Sequence, residues 1–223
     1  MAAAGPIKRV PWDSVALGCD AYELSAAIPE VLKQARAPGH YTVRVDPLAG
    51  KRALHEHGFY YCDTLIEPYC AAGEFKPQPH PAAGASRETA LESLLAICRG
   101  SFQHDRFHRD FGVESARADR RYETWLRELH AARKVYGLTW ENEIAGFIAC
   151  EGGKLVLHAM GVQHRGRGFA RHLWSAVCAD LVRQGVSELS SSISATNLAA
   201  LNLYVALEFR FRNPVDLYHR VIP

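Results

Sequence analysis

A basic turn that contains two glycines joins a predicted strand to a predicted helix near residue 165 of this 223-residue chain. The apolar run at 155–160 indicates a buried strand, and apolar residues recur at helical spacing across 172–182. The first turn of a helix leaves about four backbone N–H groups without partners, and the aligned peptide dipoles add partial positive charge there. Glycines let a ligand approach that backbone, and arginines add full charges. The turn therefore predicts a cradle for an anion such as a diphosphate.

Three phosphate-binding patterns can be compared with this turn, which reads Arg165-Gly166-Arg167-Gly168-Phe169-Ala170. The P-loop is excluded because the turn lacks Gly-Lys-Ser/Thr. The dinucleotide fingerprint needs three glycines and only two are present, although Glu188 lies about where its acidic residue belongs. The pattern Arg/Gln-x-x-Gly-x-Gly/Ala fits in full, starting either at Arg165 or at Gln163. We favour the Arg165 register, while a dinucleotide site and an arginine-rich solvated loop stay open.

The segment after this helix contains a second pattern. Asn197, Ala200 and Tyr204 match Asn-x-x-Ala-x-x-x-Tyr, and Glu208-Phe209 stands where Gly-Phe usually follows. Together the two patterns resemble the motifs of the GNAT acyltransferase superfamily, in that superfamily's order and spacing, over residues 144–209. The resemblance implies an α/β (α+β) fold with a mixed, mostly antiparallel central sheet flanked by helices. Glu208 departs from the family because glycine is the easier residue at a left-handed helix end.

The same resemblance implies a donor and a set of site residues. Acetyl-CoA would be the cosubstrate, with its pyrophosphate on the turn and its thioester beside main-chain groups at the end of the preceding strand. The expected cofactor-binding residues are Met160, Val162, Arg165, Gly166, Arg167, Gly168, Phe169, Ala170, Asn197 and Asn202. Tyr204 would protonate the departing thiolate as the general acid. Core packing is the alternative for Tyr204, and a helix cap is the alternative for Asn197.

A finer resemblance is to bacterial TDP-fucosamine acetyltransferases. It depends on an Arg-Phe-His-x-Asp loop at 106–110, a Tyr-x-x-Trp helix at 122–125 and a final strand at 215–220. It implies acetylation of the amino group of a nucleotide-linked 4-amino-4,6-dideoxy sugar, in polysaccharide biosynthesis. It also implies, as expected features, a small N-terminal α/β module in front of the acyltransferase domain.

Within that loop we expect Arg106, His108 and Arg109 to bind the nucleotide sugar, with surface charge as the alternative for the arginines. The general base is left open between His108, Asp110, His158 and water. An acceptor of another class, such as an antibiotic, a polyamine or a protein lysine, is an alternative function. So is a non-catalytic CoA-binding sensor.

Composition excludes several other classes of protein. A net charge of +2 is too small to predict a nucleic-acid partner or a membrane surface. No apolar run approaches the roughly 20 residues of a membrane span, and the start of the chain does not resemble a secretory leader, so we expect a cytoplasmic protein. The six cysteines are scattered, which favours free thiols and predicts no zinc or other metal. A homodimer is left open.

The organisation of the chain is predicted from a proline-bearing stretch. Residues 1–73 would form the small N-terminal module, 74–85 a linker, and 86–223 the GNAT acyltransferase domain. Inside the module, a helix-Gly-Phe-strand unit at 49–66 echoes residues 201–211. Ser86 is predicted to cap a helix that runs to Phe102. Glu141-Asn142-Glu143 is predicted to form a tight hairpin turn between two strands, and two separate strands are predicted at 209–212 and 215–221.

Overall fold

The computed structural model describes residues 5–223. Residues 1–4, which belong to the predicted N-terminal module and to the start of the chain considered above as a secretory leader, lie outside the described residues. The helices are α1 (Pro11–Leu17), α2 (Pro29–Leu32), α3 (Arg52–Glu56), α4 (Leu91–Cys98), α5 (Ser115–Ala131), α6 (Ala170–Arg183) and α7 (Leu198–Ala206). The strands are β1 (Ile7–Arg9), β2 (Ala21–Leu24), β3 (Gly39–Val45), β4 (Tyr60–Ala71), β5 (Ala83–Ser86), β6 (Val135–Trp140), β7 (Glu143–Glu151), β8 (Lys154–Met160), β9 (Glu188–Ser191), β10 (Ile193–Ser194) and β11 (Arg210–Ile222).

All of these strands belong to one sheet in the order β1-β2-β3-β11-β4-β9-β8-β7-β6-β5, with β10 paired to β4. The pairs β2–β3 and β8–β9 are parallel, and the other pairs are antiparallel. Helices cover the sheet, with α6 and α7 packed on one part of the core and α4 and α5 on another. The predicted fold, a mixed and mostly antiparallel sheet flanked by helices, is confirmed.

The centre of the sheet interleaves the front and back of the chain. Strand β11 lies between β3 and β4, and β4 lies between β11 and β9. Each strand of this central pair follows a short helix and a left-handed residue, Gly58 at φ 74° or Glu208 at φ 60°. A buried phenylalanine, Phe59 or Phe209, comes next in both units. The two units are therefore built alike, and their strands, β4 and β11, lie side by side in the sheet.

The predicted linker is ordered against the back half of the chain. The Gln78 N–H donates to Ser175 Oγ on α6 at 2.6 Å, and β5 begins at Ala83 and pairs with β6. Because strands from both sides of residues 74–85 share one sheet, the two segments fold against each other extensively. The division into a module at 1–73 and a domain at 86–223 stays a prediction.

Two local predictions are wrong. Ser86 ends β5 rather than capping a helix, because its hydroxyl accepts the Glu88 N–H in a tight turn and α4 begins later, at Leu91. The last segment is one long strand, β11, rather than two. Its ladder is shifted between Arg212 and Val215, where Asn213 has φ 52°.

Other local predictions are confirmed. The tight hairpin between β6 and β7 has left-handed Glu141 and Asn142 at its tip, as a two-residue turn between antiparallel strands requires. All six cysteines are free, with Cys19 exposed and the other five buried. No helix within residues 5–223 has both the length and the apolar character needed to cross a membrane.

A cleft forms in the sheet where two neighbouring strands stop pairing. The first two residues of β8 pair with the last two residues of β9, Lys154 with Ser190 and Leu155 with Ser191. Beyond this point β8 continues to Met160 without β9 beside it, and α6 begins shortly after the end of β8. A gap therefore opens in the sheet, and the basic turn lies at its mouth.

Candidate active site

The turn before α6 presents a row of free amides. Gly166 and Gly168 have φ of 71° and 77°, and a Cβ built on either would meet nothing within 4 Å. Phe169 precedes the helix and makes no side-chain cap. Within residues 5–223, no protein acceptor bonds the backbone N–H groups of residues 166–171. The turn is therefore an unfilled set of donors at a positive helix end, which suits a phosphate.

The side chains of the turn divide into tethered and free groups. Arg165 folds back, and its guanidinium donates to the Met160 carbonyl at 2.9 Å and to Ser101 Oγ at 2.8 Å. Phe169 stacks on Trp140 with ring centroids 3.8 Å apart. Arg167 is exposed beside Phe169. Arg165 thus anchors the turn to the strand end, whereas Arg167 is available to a ligand.

Other expected contacts of the cofactor lie at the surface. Ala170 begins α6, and Val162 lies with its side chain 76% exposed in a single 3₁₀ turn, Val162–His164. Asn202 is exposed on α7. Their contacts with a cofactor stay predictions.

The end of β8 offers a main-chain donor to the cleft. The Gly161 N–H donates to Ala145 of β7 at 2.8 Å. Since successive residues of a strand point their N–H groups to opposite neighbours, the Met160 N–H faces the side from which β9 has separated. The Met160 carbonyl, which accepts Arg165, has the same orientation. Met160 is therefore placed to bond a thioester carbonyl in the cleft.

Tyr204 is completely buried, and its hydroxyl lies 3.2 Å from His158 Nε2. In the tautomer of His158 that carries its proton on Nδ1, Nε2 accepts the proton of the Tyr204 hydroxyl. Burial lowers the pKa of His158 to about 4, so this histidine is neutral near pH 7. Burial raises the pKa of Tyr204 well above its usual value, so the phenol stays protonated. The pair is a protonated tyrosine held by a neutral histidine.

Asn197 is the N-cap of α7. Its Oδ1 accepts the Ala200 N–H at 3.1 Å, as the capping alternative for this residue predicts. The cap fixes the start of the helix that carries Tyr204. A contact between Asn197 and a cofactor stays a prediction.

A buried carboxylate that the sequence analysis missed lies near the start of α7. Asp63 Oδ1 accepts bonds from Ser194 Oγ at 2.7 Å and from Arg109 Nη1 at 3.1 Å, while Oδ2 has no partner among residues 5–223. Burial raises the pKa of Asp63, although Ser194 and Arg109 oppose the shift. Arg109 also donates to Thr196 Oγ1 at 3.3 Å. The sequence signal is weak, because Asp63 is one of two acidic residues, with Glu67, in a strand that is otherwise mainly aromatic and apolar.

Two other expected residues of the loop are occupied by structural contacts. The Arg106 side chain is only 17% exposed and lies against Phe107, with Asp13 of α1 as its counterion. His108 bonds Asp105 at 2.5 Å and Asp119 at 3.2 Å through its two ring nitrogens. Burial alone would lower the pKa of His108, but the bonds to these carboxylates outweigh burial and raise it. Of the three predicted substrate-binding residues, Arg109 is thus the one beside an unpartnered group.

An open cavity of about 490 Å³ lies on the sheet close to Asp63. Its walls include Leu65, two residues beyond Asp63 on β4 and therefore on the same face. Ser191 in the wall lies 3.5 Å from His158 Nε2. The charged residues that line it are Arg44, Asp46, Glu67 and Lys154. The volume is that of a small-molecule site, and the lining offers both signs of charge.

Comparison with known proteins identifies the architecture. The acetyltransferase (GNAT) family pattern matches residues 91–209, just over half of the chain. The fold is similar to that of a GCN5-related N-acetyltransferase from Sphaerobacter thermophilus, with a TM-score of 0.61, 14% identity, and coverage of 84% of this chain and 61% of that one. It is also similar to a GCN5-related N-acetyltransferase from Kribbella flavida, with a TM-score of 0.58, 13% identity, and coverage of 99% and 88%.

A third similar structure is a tandem GNAT protein from the clavulanic acid biosynthesis pathway, with a TM-score of 0.56, 11% identity, and coverage of 90% of this chain and 75% of that one. The chain thus spans about three fifths of the Sphaerobacter protein. No curated protein sequence matches it. At these identities the structural similarities establish the fold.

Proposed function

The chain belongs to the acetyltransferase (GNAT) family, and we propose that it transfers an acetyl group from acetyl-CoA to the amino group of a nucleotide-linked 4-amino-4,6-dideoxy sugar. Members of this family are acyltransferases that use acetyl-CoA. The observation that supports donor binding most strongly is the row of amides at 166–171 without protein acceptors. Six N–H groups, the end of the α6 dipole and the exposed Arg167 suit the pyrophosphate of CoA.

Transfer proceeds directly from the thioester to the amine in a ternary complex. The Met160 N–H stabilises the negative oxygen of the tetrahedral intermediate, a contribution of about 3–4 kcal/mol where one such donor has been removed in other enzymes. Tyr204 turns its hydroxyl from His158 to the sulfur and donates its proton to the thiolate. His158 positions that hydroxyl, and its own lowered pKa keeps it neutral and able to accept.

The acceptor lies on the sheet face shared by Asp63 and the open cavity. Arg44 and Lys154 in the cavity wall attract the nucleotide diphosphate, and Arg109 lies at the Asp63 end. The free Oδ2 of Asp63 takes a proton from the sugar ammonium, and the raised pKa of this carboxyl makes it a better base than an exposed aspartate. Asp63 is therefore our choice of general base, in place of His108 and Asp110, whose polar atoms are occupied.

The experiment is a thiol-release assay with acetyl-CoA and a panel of acceptors. The panel contains TDP- and GDP-linked 4-amino-4,6-dideoxy sugars, an aminoglycoside, spermidine and a lysine peptide. Because Cys19 is the one exposed cysteine of the described chain, a Cys19→Ser variant removes the background reaction of the protein with the thiol reagent. We expect acceptor-dependent release with the nucleotide sugars and a product that carries one added acetyl group by mass.

The other outcomes separate the rival functions. Release only with spermidine, the aminoglycoside or the peptide would contradict the sugar proposal and retain acetyl transfer. Tight CoA binding with no release for any acceptor would favour a CoA sensor. Absence of CoA binding would refute the proposal as a whole.

A further inference from the structure

A second cluster of chemically active side chains lies outside the proposed acyltransferase site. His40 on β3, Asp110 in the loop between α4 and α5, and His219 on β11 meet in the interior, with residue exposures of 2%, 2% and 0%. His40 Nε2 is 2.9 Å from Asp110 Oδ2, His219 Nδ1 is 2.7 Å from the same oxygen, and the two nitrogens are 3.2 Å apart. Three potential ligand atoms therefore converge on one point.

Asp110 is held as an ionised carboxylate at one corner of this triangle. The other carboxylate oxygen, Asp110 Oδ1, accepts the Tyr60 hydroxyl at 2.7 Å and the Gly112 N–H at 2.8 Å, an environment for an ionised carboxylate. If both histidines donate to Oδ2, this oxygen accepts two N–H groups whose nitrogens lie 3.2 Å apart. If one histidine donates to the other, the lone pair of the acceptor nitrogen faces a lone pair of Oδ2 at hydrogen-bond distance, which is repulsive. With an ionised Asp110, the double donation to Oδ2 is therefore the arrangement that satisfies the triangle without a metal ion.

A cation beside the triangle gives a second arrangement, in which all three atoms present lone pairs to the ion. We propose that His40, Asp110 and His219 bind a divalent transition-metal ion. Two imidazoles and one carboxylate are ligands that zinc and iron(II) accept. Atoms about 2.1 Å from a shared ion stand about 3.0 Å apart at right angles and about 3.4 Å apart at tetrahedral angles. The observed spacing fits three adjacent positions of a six-coordinate ion.

The second layer of contacts supports a preformed site. Tyr60 and Gly112 hold Asp110 by Oδ1 and so aim Oδ2 at the two histidines. His219 Nε2, in contrast, has no partner among residues 5–223. A site without an outer hydrogen bond at one ligand binds its metal more weakly than a site with a full outer layer. We therefore expect stoichiometric but chelator-reversible binding.

The ion has a clear structural consequence. It links β3 of the front segment, β11 at the end of the chain and the loop that carries Arg109, the residue next to Asp110. It thus fixes the loop against the interleaved centre of the sheet. The metal site and the proposed acetyl transfer can fail independently, because metal content is measured without substrate.

The test uses the full chain purified without a histidine tag. The protein is dialysed against a chelator and then titrated with Zn²⁺, Co²⁺, Mn²⁺ or anaerobic Fe²⁺, with metal content measured by mass spectrometry and Co²⁺ also by its visible absorption. We expect about one ion per chain, and a Tm increase of about 5 °C or more at one hundred times Kd. No stoichiometric ion and no Tm shift with any of the four would overturn the proposal.

Variants locate the site. Asp110→Asn and His219→Gln should lose the ion and the Tm shift, while His219→Cys keeps a zinc ligand and should retain Zn²⁺ binding. His130→Asn, which changes a histidine bonded to the Thr89 carbonyl, is the control and should keep the ion. Tyr60→Phe keeps all three ligands but removes the outer hydrogen bond to Asp110, so it should weaken binding without abolishing it. Near-UV circular dichroism checks the folding of each variant. Retention of the ion by folded Asp110→Asn would contradict the assignment, and the wild-type titration stands whichever variants fold.

Discussion

Replacing Gly168 by alanine separates the fold from cofactor binding. Gly168 has φ 77° and open space where a Cβ would lie, so the substitution meets no steric contact in the protein. Its cost to folding is the left-handed conformation of a residue with a Cβ, about 1–2 kcal/mol. For a chain of this length, that cost corresponds to a Tm decrease of about 2–8 °C. The new methyl group also projects into the space where a phosphate would approach the backbone.

Gly185 supplies a matched control at the other end of α6. It has φ 89° and the same open surroundings, so Gly185→Ala should lose a similar amount of stability. The two variants differ only in their relation to the amide row. We expect the Kd for CoA, measured by isothermal titration calorimetry, to rise about tenfold or more for Gly168→Ala and to stay unchanged for Gly185→Ala. Equal CoA affinities in the two variants would refute the cradle.

Four further predictions test other parts of the site. Tyr204→Phe should lower kcat by about 10²–10⁴-fold in the thiol-release assay with little change in CoA affinity, and unchanged turnover would remove its role as general acid. Asp63→Asn should lower kcat and abolish the acidic limb of the pH profile, whereas a parallel profile at lower rate would indicate a purely structural role. The pKa of His158 is about 4 in the folded state and 6.5 in the unfolded state, so the unfolded state binds the proton first as the pH falls. The free energy of unfolding should therefore decrease by about 3 kcal/mol between pH 6.5 and pH 4. His158→Gln should remove this decrease from urea unfolding curves measured across that pH range. Asn197→Ala should cost about 1 kcal/mol in urea unfolding by removing the cap of α7, and a wild-type midpoint would contradict the cap.

The sequence predicts the features that depend on neighbouring residues. The glycines at 166 and 168 sit in the left-handed conformations that a tight turn demands, and Asn197 bonds the amide three residues ahead as a cap does. The β6–β7 hairpin is predictable for the same reason, since its two tip residues set the turn. Local chemistry is enough at each of these positions.

Features that depend on long-range pairing could not be predicted. Nothing in the alternation of residues 60–71 indicates that β4 enters the sheet between β9 and β11. That insertion buries Asp63, and the pairing of β3 with β11 brings His40 within reach of His219, a partner 179 positions away. Spacing rules for metal ligands apply to residues close in sequence, so they do not detect such a cluster.

The arginines illustrate a second limit. Charge and position make Arg165 and Arg106 candidates for binding anions, yet Arg165 bonds Met160 and Ser101, and Arg106 lies against Phe107 beside Asp13. A sequence gives the charge of a side chain but not the protein groups that compete for it. The backbone amides of residues 166–171 meet no such competing group among residues 5–223.

The central claim is that CoA binds through the amides of residues 166–171, and nitrogen-15 NMR tests it at those atoms. Titration of the labelled full chain with CoA should shift the amide resonances of Gly166 and Gly168 with the largest changes in the molecule, while pantetheine, which has no pyrophosphate, should leave both nearly unchanged. If CoA binds while these two resonances do not move, or if pantetheine shifts them equally, the pyrophosphate does not lie on this turn.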